Sequence, residues 1–490
     1  MTLYGLLIIP AVAGVGAFFV KADSLRRRVL VLTAIVHTVL MAATWVSLPG
    51  PLLGGWLRLD ALGQLVLSVT SLLFLAAAVY AVGYLQREHQ KFHHDFQEGL
   101  LFTNAPEATF TGCLLLFLAA MTLVAASQRF GLLWVAIEAT TLASAPLIFF
   151  HRHHRSLEAT WKYLLICSVG IALALLGNFF LAVAASDAGG TRIPLVLEDL
   201  VRGASRLHVR WLQAAFLLFL VGYGTKMGLA PLHTWLPDAH SEAPSVVSAL
   251  LSGALLNCAF LGILRVQQVC AAAGCGAFGR ELFVGFGIVS MAVAAVFIIG
   301  QADFKRLLAY SSVEHMGILS LGVGLGGGAS FGALLHAVNH SLTKALLFLV
   351  AGNILATYQT KSTLDVRGVL RALPVSGVLW LMGAFAITGS PPFGPFLSEF
   401  TILKAALDQG RSGVAATYLV MLAAICVGMM TAALRMAQGV PDRHWENETR
   451  GEPVTAIGPP AVLAVLVLLL GLYVPPVLRT AIEAAARLLG

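Results

Sequence analysis

Five ionisable side chains lie within stretches of the chain that are otherwise apolar enough to cross a membrane. They are Glu138, Lys226, His336, His340 and Lys344. A charged group at the centre of a bilayer costs at least about 2.5–3.5 kcal/mol. We therefore expect a chain that carries several of them to use them. Acids, imidazoles and amines together are the parts of a proton or ion path.

Both histidines and the second lysine recur every four residues along one predicted helix. At 1.5 Å per residue, His336, His340 and Lys344 share one helical face over ~12 Å. Imidazole accepts a proton on one nitrogen and donates from the other, so the row predicts a proton relay. Structural polar packing is one alternative, and a metal site is another, because two histidines at this spacing can bind metal. The nearby lysine disfavours a divalent cation, so we predict no metal.

Glu138 and Lys226 form the second candidate group. Glu138 lies in the middle of LLWVAIEATTLASAPLIFF, where an acid must be neutralised or paired, and a lysine on a neighbouring helix is the expected partner. Lys226 stands just before a break in its segment. Desolvation favours its neutral form and a nearby acid favours its charged form, so such a lysine could switch between them. The alternatives are simple packing for Glu138 and snorkelling to the interface for Lys226.

Glu399 follows a Pro-Pro break and either ends the path or caps a half-helix. Five further residues are weaker candidates for proton transfer: Lys162, Asp238, His240, Asp303 and His315. Lys162 follows Glu158 by four residues, so a surface pair competes with a role in the path. Asp238 and Asp303 could instead cap helices.

Composition places these residues in an all-helical, polytopic membrane protein. Of the 490 residues, 58% are hydrophobic and 11% are charged, whereas a soluble domain carries about 25% charged residues. We count about fourteen apolar segments of spanning length between residues 3 and 476, and an amphipathic stretch at 477–489. The net charge of +7 is dispersed, which fits loop arginines better than a nucleic-acid patch.

Two segments, the seventh and the twelfth, contain backbone breaks. Gly228 and Pro231 interrupt the first of them, and Gly389, Pro391 and Pro392 interrupt the second. Proline removes a backbone donor and clashes with the preceding turn. Broken backbone at membrane depth is tolerated where it faces protein or a wet cavity. Because the breaks lie five segments apart, we predict two five-helix repeats, segments 4–8 and 9–13, the second inverted.

The chain divides into three predicted regions. Residues 1–107 hold helices 1–3, residues 108–437 form the core, and residues 438–490 hold helix 14 and a short amphipathic end. The first apolar run lacks a preceding basic cluster and is predicted to be a retained helix. Lysines and arginines favour alternate loops, which predicts that both termini lie outside.

The six cysteines show neither a CxxC motif nor iron–sulfur spacing, so we predict no redox cofactor in this chain. Cys270 and Cys275 share one loop, where a disulfide or a thiol pair could form.

Four motifs occur in one order along the chain. They are KMGLAPLHTWLPDAHSEAPS at 226–245, DFKRLLAYSSVEHMGI at 303–318, HAVNHSLTKALLFLVAGNI at 336–354 and GSPPFGPFLSEF at 389–400. Over roughly residues 108–437, the chain resembles the antiporter-like membrane subunits of complex I and of energy-converting hydrogenases. DAHSEAP, SSVEHMG and PPFGPFLSEF make it most similar to the hydrogenase-4 component F group.

The resemblance implies roles for the candidate residues. Glu138 and Lys226 would be the paired acid and lysine of a first half-channel, and Glu399 the terminal group of a second. The central axis would consist of His336, His340 and Lys344, with Lys162 matching a helix-6 lysine more loosely.

One departure from the family pattern concerns helix 8. Ser252 stands where some complex I paralogues carry a histidine. The bridge between the two half-channels would then run through water, Asn257 or Lys344.

The resemblance also implies a function without catalysis by this chain. It would be a proton-pumping subunit of an oxidoreductase complex of the group 4 NiFe-hydrogenase or formate hydrogenlyase type. Its partners would be other membrane subunits and peripheral NiFe-hydrogenase-like and iron–sulfur subunits, in a prokaryotic cytoplasmic membrane. The alternatives are a quinone- or ferredoxin-linked complex I relative, or a redox-independent cation/proton antiporter or ion-coupled uptake subunit. Mostly basic carriers favour protons over sodium.

Overall fold

The protein is helical almost throughout. The computed structural model describes residues 1–88, 93–94, 99, 101–186, 192–441 and 451–489. Within those ranges, eleven helices are long and apolar enough to cross a membrane. Three predicted segments remain. One is the helix Phe304–Leu325, and the other two are spans that are broken in the middle, Val209–Met227 with Trp235–Glu242 and Pro374–Ile387 with Gly394–Asp408. The prediction of about fourteen spanning segments is therefore confirmed.

The first half of the chain runs from the N-terminus to the end of the first repeat. Its helices are α1 (Thr2–Phe19), α2 (Asp23–Val46), α3 (Ala61–Arg87), α4 (Glu107–Ala126), α5 (Phe130–Ile148), α6 (His154–Ala184), α7 (Leu197–Arg202), α8 (Val209–Met227), α9 (Trp235–Glu242), α10 (Ser245–Leu250) and α11 (Leu256–Ala272). A π-helical turn, Leu251–Leu255, joins the last two into one span. A short hairpin pairs β1 (His93–His94) with β2 (Leu101–Phe102).

The second half repeats the pattern of long helices. Its helices are α12 (Gly276–Ile298), α13 (Phe304–Leu325), α14 (Gly328–Tyr358), α15 (Val369–Ala372), α16 (Pro374–Ile387), α17 (Gly394–Asp408), α18 (Ser412–Ala437), α19 (Val454–Leu472) and α20 (Pro476–Arg487). The last of these overlaps the stretch 477–489, which the sequence predicts to be amphipathic.

Both predicted breaks are present. Helix α8 ends at Met227, and Gly228 follows in the left-handed conformation with φ 87°. Helix α16 ends at Ile387, and Gly389 has φ 65°. Glycine adopts these backbone angles without the steric cost that a Cβ would impose. The broken spans are therefore α8–α9 and α16–α17.

The two sets of five spans make the same succession of contacts. In the first set, α4 packs on α5, α5 on α6, α6 on α8, and α8 on α11. In the second set, α12 packs on α13, α13 on α14, α14 on α17, and α17 on α18. Because five crossings separate equivalent points, the second set enters the membrane from the opposite side.

The centre of the molecule lies around α10–α11 and α14. All of the most apolar stretch of Ser245–Ala272 is buried, compared with 22% of that in Ser412–Ala437. Polar groups on the central helices are thus shielded from lipid. Helix starts beside them are capped by side chains, and Asp60 accepts from the backbone N–H of Gly63 at 2.9 Å.

Candidate functional site

Lys226 lies in the last turn of α8 and is completely buried. Its Nζ donates to Thr141 Oγ1 and to Tyr163 Oη, each at 2.7 Å. It also lies 4.6 Å from the centre of the Tyr163 ring, at the distance of a cation–π contact. The ammonium group is therefore held by two hydroxyls and an aromatic face, and it does not snorkel to the interface.

Glu138 is connected to this lysine through Thr141. The threonine lies one turn further along α5 and donates to Glu138 Oε2 at 3.0 Å. Ser168 Oγ reaches the other carboxylate oxygen at 3.5 Å. No oxygen of this half-buried carboxylate lies within the 4.0 Å of Lys226 Nζ that defines an ion pair. The structure thus places the expected lysine one hydroxyl away from Glu138.

Sequence reasoning missed the hydroxyl groups around the lysine. Tyr163 Oη and Ser144 Oγ form a hydrogen bond of 2.7 Å, which extends the polar group from α6 back to α5. Hydroxyl residues are common in membrane helices. Thr141 and Tyr163 therefore do not stand out in the sequence as candidate site residues until their contact with Lys226 is known.

Lys162 and Asp238 lie outside this group. Lys162 has a side chain that is 46% exposed, and its Nζ lies 2.6 Å from Glu158 and 3.0 Å from Asp238. Asp238 also accepts from Arg306 at 2.6 Å, and it lies inside α9, whose N-terminus has no side-chain cap. These ion pairs connect α6, α9 and α13 at the surface, where each contributes little stability. Lys162 thus forms the surface ion pair with Glu158 that their four-residue spacing allows.

Asp303 caps α13. Its Oδ1 accepts from the backbone N–H groups of Lys305 at 2.7 Å and Arg306 at 3.0 Å. Its other oxygen accepts from Ser241 Oγ at 2.8 Å. The capping alternative is therefore the observed one.

Three histidines form a cluster between α13 and α14. His315 Nδ1 and His336 Nε2 form a hydrogen bond of 2.8 Å, and His336 Nδ1 bonds Ser398 Oγ at 2.9 Å. The rings of His315 and His340 lie 4.8 Å apart, whereas those of His336 and His340 lie 6.5 Å apart. His315, a weaker candidate in the sequence, thus fills the gap that the four-residue spacing leaves.

Glu399 lies beside this cluster on α17. It is buried, and Oε1 has no hydrogen-bond partner among the described residues. It does not cap α17. Ligand atoms of His315, His336 and Glu399 lie within 4.8 Å of one another. These are residue types that bind metal, but an ion would have to displace the hydrogen bond between the two histidines.

Lys344 is buried one turn beyond His340. Its Nζ donates to the carbonyl of Leu308 at 2.6 Å and to Ser311 Oγ. Glu314, three residues after that serine, is 2% exposed, and its Oε2 lies 3.9 Å from His315 Nε2. The sequence analysis overlooked Glu314, although an acid within an apolar segment is the same signal that identified Glu138.

His240 lies between the two groups. Its ring stacks on Trp235 with centroids 6.3 Å apart, and on Phe348 at 5.4 Å. Trp235 in turn packs on Tyr163 at 5.0 Å. In the part of the chain that the structure covers, neither nitrogen of this imidazole has a hydrogen-bond partner.

Two hydroxyl or amide contacts also join the halves. Ser252 Oγ and Ser312 Oγ form a hydrogen bond of 2.8 Å. Asn257 Nδ2 donates to Ser341 Oγ at 2.7 Å. Ser252 therefore contacts α13 directly, and Asn257 contacts the helix that carries two of the histidines.

One membrane face adds a buried basic group that the sequence analysis did not identify. Lys305 donates to the carbonyls of Ser241 at 2.9 Å and Ala243 at 2.5 Å. Beside it, Glu242 forms an ion pair of 2.9 Å with Lys361.

Cys270 and Cys275 are both buried and both are free thiols. They do not form a disulfide in this structure.

Comparison with known proteins identifies the family. Residues 127–431 match the family described as "NADH:quinone oxidoreductase/Mrp antiporter, TM". The chain is 35% identical over 437 residues to the "Hydrogenase-4 component F homolog" of Methylacidiphilum infernorum (isolate V4), with 86% of each chain covered.

Solved structures share the fold. A chain of the membrane-bound sulfane sulfur reductase, an archaeal respiratory membrane complex, superposes with a TM-score of 0.86 at 20% identity, covering 99% of this chain and 97% of that one. A chain of respiratory complex I from Thermus thermophilus gives 0.76 at 26% identity, covering 96% and 97%. Both are chains of multi-subunit membrane complexes. The chain therefore belongs to the NADH:quinone oxidoreductase/Mrp antiporter family, as an antiporter-like, proton-translocating membrane subunit of the complex I and hydrogenase kind.

Proposed function

We propose that this chain moves protons within a redox complex of the group 4 NiFe-hydrogenase or formate hydrogenlyase type. The relative named for hydrogenase-4 component F, similar along 86% of both chains, supports this choice. Peripheral NiFe-hydrogenase-like and iron–sulfur partners would supply the redox energy, and this chain would carry no cofactor. A quinone- or ferredoxin-linked complex I relative is the alternative.

The observation that carries the proposal is the row of buried polar side chains through the centre of the fold. Lys226 lies at one end, the histidine cluster and Glu399 at the other, and His240 between them. Several buried polar atoms of the row have no protein partner among the described residues: both ring nitrogens of His240 and His340, both amide atoms of Asn339, Asn257 Oδ1 and Glu399 Oε1. Buried polar atoms normally bond to protein or to ordered water. The row is therefore suited to water-assisted proton transfer.

The first half of the path depends on the Glu138 charge. Thr141 donates to Glu138, and its oxygen accepts from Lys226, so the threonine couples the two. A negative Glu138 stabilises the ammonium form of Lys226. An electrostatic or conformational change in the redox partners that removes this charge would make Lys226 release its proton.

The second half carries that proton toward Glu399. The released proton would pass by way of water and His240 to Lys344, and then along the histidines. His315 and His336 are joined directly at 2.8 Å, so transfer between them requires no water. Glu399 accepts at the end because its Oε1 has no other partner in the described structure.

Purification of the tagged chain with its native partners tests the type of complex. We expect a NiFe-hydrogenase-like large subunit and iron–sulfur proteins to copurify. Copurification of a quinone-reducing module instead would favour the complex I alternative. A complex without any redox subunit would overturn the proposal.

Reconstitution of the same complex into liposomes tests the transported ion. We expect redox turnover to acidify one side of the vesicle in the presence of a sodium ionophore. A signal that requires a sodium gradient would show a sodium antiporter. Lys404→Ala removes a lysine that is 64% exposed and pairs with Asp408, so it serves as a control that should pump normally.

A further inference from the structure

The second repeat contains an acid, a hydroxyl and a lysine on neighbouring helices. Lys344 on α14 donates to Ser311 Oγ on α13, and Glu314 stands three residues after that serine. Residues three apart on a helix share a face, so the acid and the hydroxyl are neighbours. No oxygen of Glu314 lies within the 4.0 Å of Lys344 Nζ that defines an ion pair, but the two residues stand on helices α13 and α14, which pack on each other. Ser311 itself donates to the Leu308 carbonyl and not to the acid.

A related arrangement occurs in the first repeat. There Lys226 donates to Thr141, and the acid stands three residues before that threonine on α5. Helices α5 and α13 are the second spans of their repeats. In the first repeat the hydroxyl residue, Thr141, follows the acid by three residues, and in the second repeat Ser311 precedes the acid by three residues. Each buried lysine therefore contacts a hydroxyl one turn away from an acid on the equivalent helix.

The charge of Lys344 requires compensation. The lysine is completely buried, and its two hydrogen-bond acceptors, the Leu308 carbonyl and Ser311, are neutral. A buried ammonium group without a counter-charge costs several kcal/mol. Glu314 is buried on the same face of α13 and accepts no hydrogen bond in the described structure, so its carboxylate is available to pair with Lys344 and to receive a proton.

We propose that Glu314 is the counter-charge of Lys344 and its proton acceptor, and that the three residues form a second acid–hydroxyl–lysine switch. The proton-transfer part of this inference rests on the proposed function. The charge pairing of Glu314 with Lys344 is independent of that function, because it is a property of the folded chain.

The transfer conserves protons and charge. An N–H bond of Lys344 breaks, the electron pair stays on Nζ, and an O–H bond forms on Glu314, which converts an ion pair into a neutral pair. Glu314 then protonates His315 Nε2, 3.9 Å away, by a rotamer change or through one water. His315 releases its Nδ1 proton to His336 Nε2 at 2.8 Å. His336 releases its own Nδ1 proton toward Ser398 and Glu399.

A double-mutant cycle tests the charge pairing without any transport assay. In the purified complex, Glu314→Gln should lower the thermal midpoint, because it leaves the Lys344 charge unpaired. Adding Lys344→Met should recover most of the loss. Glu107→Gln, which removes a distant acid paired with Arg27 at 2.7 Å, should combine additively with Lys344→Met. Additivity between Glu314→Gln and Lys344→Met would overturn the proposal.

Proton flux in liposomes tests the transfer step. Glu314→Gln should reduce the flux about tenfold or more, and Glu314→Asp should restore part of it, because only the aspartate retains a carboxylate. A purely structural Glu314 would instead tolerate glutamine better than the shorter aspartate, and that order of variants would contradict the transfer role.

A matched hydroxyl pair completes the test. Ser311→Ala should lower the flux, whereas Ser320→Ala on the same helix should not, since Ser320 donates only to the Met316 carbonyl. If the wild-type complex moves no protons, the proposed function fails and the stability cycle still decides the pairing. If the wild type pumps and Glu314→Gln pumps equally well, the Glu314 transfer role fails and the proposed function stands.

Discussion

At the scale of single residues, both buried lysines donate to neutral hydroxyls, and neither lies within ion-pair distance of an acid. Lys226 contacts Thr141 and Tyr163, and Lys344 contacts Ser311 and a carbonyl. A direct buried ion pair would hold the proton strongly on the lysine. A hydroxyl transmits the influence of the acid more weakly, so a modest change at the acid is sufficient to alter the protonation of the lysine.

Removal of the Lys226 amine should stop coupled pumping. We expect Lys226→Ala to lower proton flux about 100-fold or more, since the group that holds and releases the proton is gone. Lys226→Arg should fail as well, because a guanidinium group does not release its proton at accessible pH. Flux into liposomes that contain the purified complex is the measurement, with Lys404→Ala as the matched lysine control. Normal pumping by Lys226→Ala would exclude this lysine from the path.

The hydroxyl bridge predicts different effects for two adjacent threonines. Thr141→Ala should reduce flux because it disconnects Glu138 from Lys226. Thr140→Ala should have no effect, since that threonine donates only to the Ile137 carbonyl. Glu138→Gln should act like Thr141→Ala, because it preserves shape and removes charge. Equal flux in both threonine variants would show that the bridge does not couple the acid to the lysine.

The histidine cluster predicts the metal content of the chain. We expect no stoichiometric metal in the purified complex that depends on His336, because its two nitrogens already bond His315 and Ser398. Elemental analysis of the wild type and of His336→Gln should therefore give equal values. Loss of one zinc equivalent in the variant would replace the relay interpretation with a metal site.

At the scale of elements, the broken helices make room for polar side chains. A Cβ at Gly389 would collide with Glu399 Oε2, and a Cβ at Gly394 would collide with the amide of Asn339. The glycines of the second break therefore let an acid and an amide approach the backbone closely. This explains why the break and the terminal acid lie together in GSPPFGPFLSEF.

Gly389→Ala should displace Glu399. It imposes a left-handed backbone on alanine, at about 1–3 kcal/mol, and also a collision with the carboxylate. Gly410→Ala is the matched control, because Gly410 has φ 70° and no atom within 4 Å of the added Cβ. We expect the thermal midpoint of the complex to fall more for Gly389→Ala, together with a loss of proton flux. Equal effects of both variants would show that Glu399 does not depend on the break.

At the scale of the whole molecule, the repeats bring the two polar groups to the centre. The most buried spans, Ser245–Ala272 and Gly328–Tyr358, have 100% and 78% of their most apolar stretch buried within the chain. The outer helices expose apolar side chains such as Val420 and Val427, as lipid contact requires. The row of buried polar side chains is therefore a property of the assembled bundle, because its members come from several helices.

The orientation of the bundle is a prediction from loop charges. We expect Asp365→Cys to be labelled only from the cytoplasmic side and Ser412→Cys only from outside, since both positions are exposed on opposite faces. An impermeant maleimide applied to intact cells and to inverted vesicles measures this. The native cysteines give little background, because five of the six are buried. The reverse labelling pattern would invert the predicted topology.

The sequence by itself determined the membrane class, the number of spans, the two breaks and the main candidates. These features are local. The length of an apolar stretch predicts a membrane span, and glycine and proline predict a break in it. An ionisable residue within an apolar stretch can be recognised directly from the sequence. Lys226, His336 and Glu399 could therefore be identified without knowing which helices are neighbours.

Only the tertiary structure decided which of these groups meet. Lipid-facing and protein-facing sides of a membrane helix are both apolar, so hydrophobic periodicity does not reveal the buried face. For this reason the sequence did not show that Lys162 is exposed, that His315 bonds His336, that Thr141 and Tyr163 bond Lys226, or that Glu314 is buried. The helix packing places an imidazole between two others and a hydroxyl between Lys226 and Glu138. Contacts of that kind depend on residues far apart in the chain.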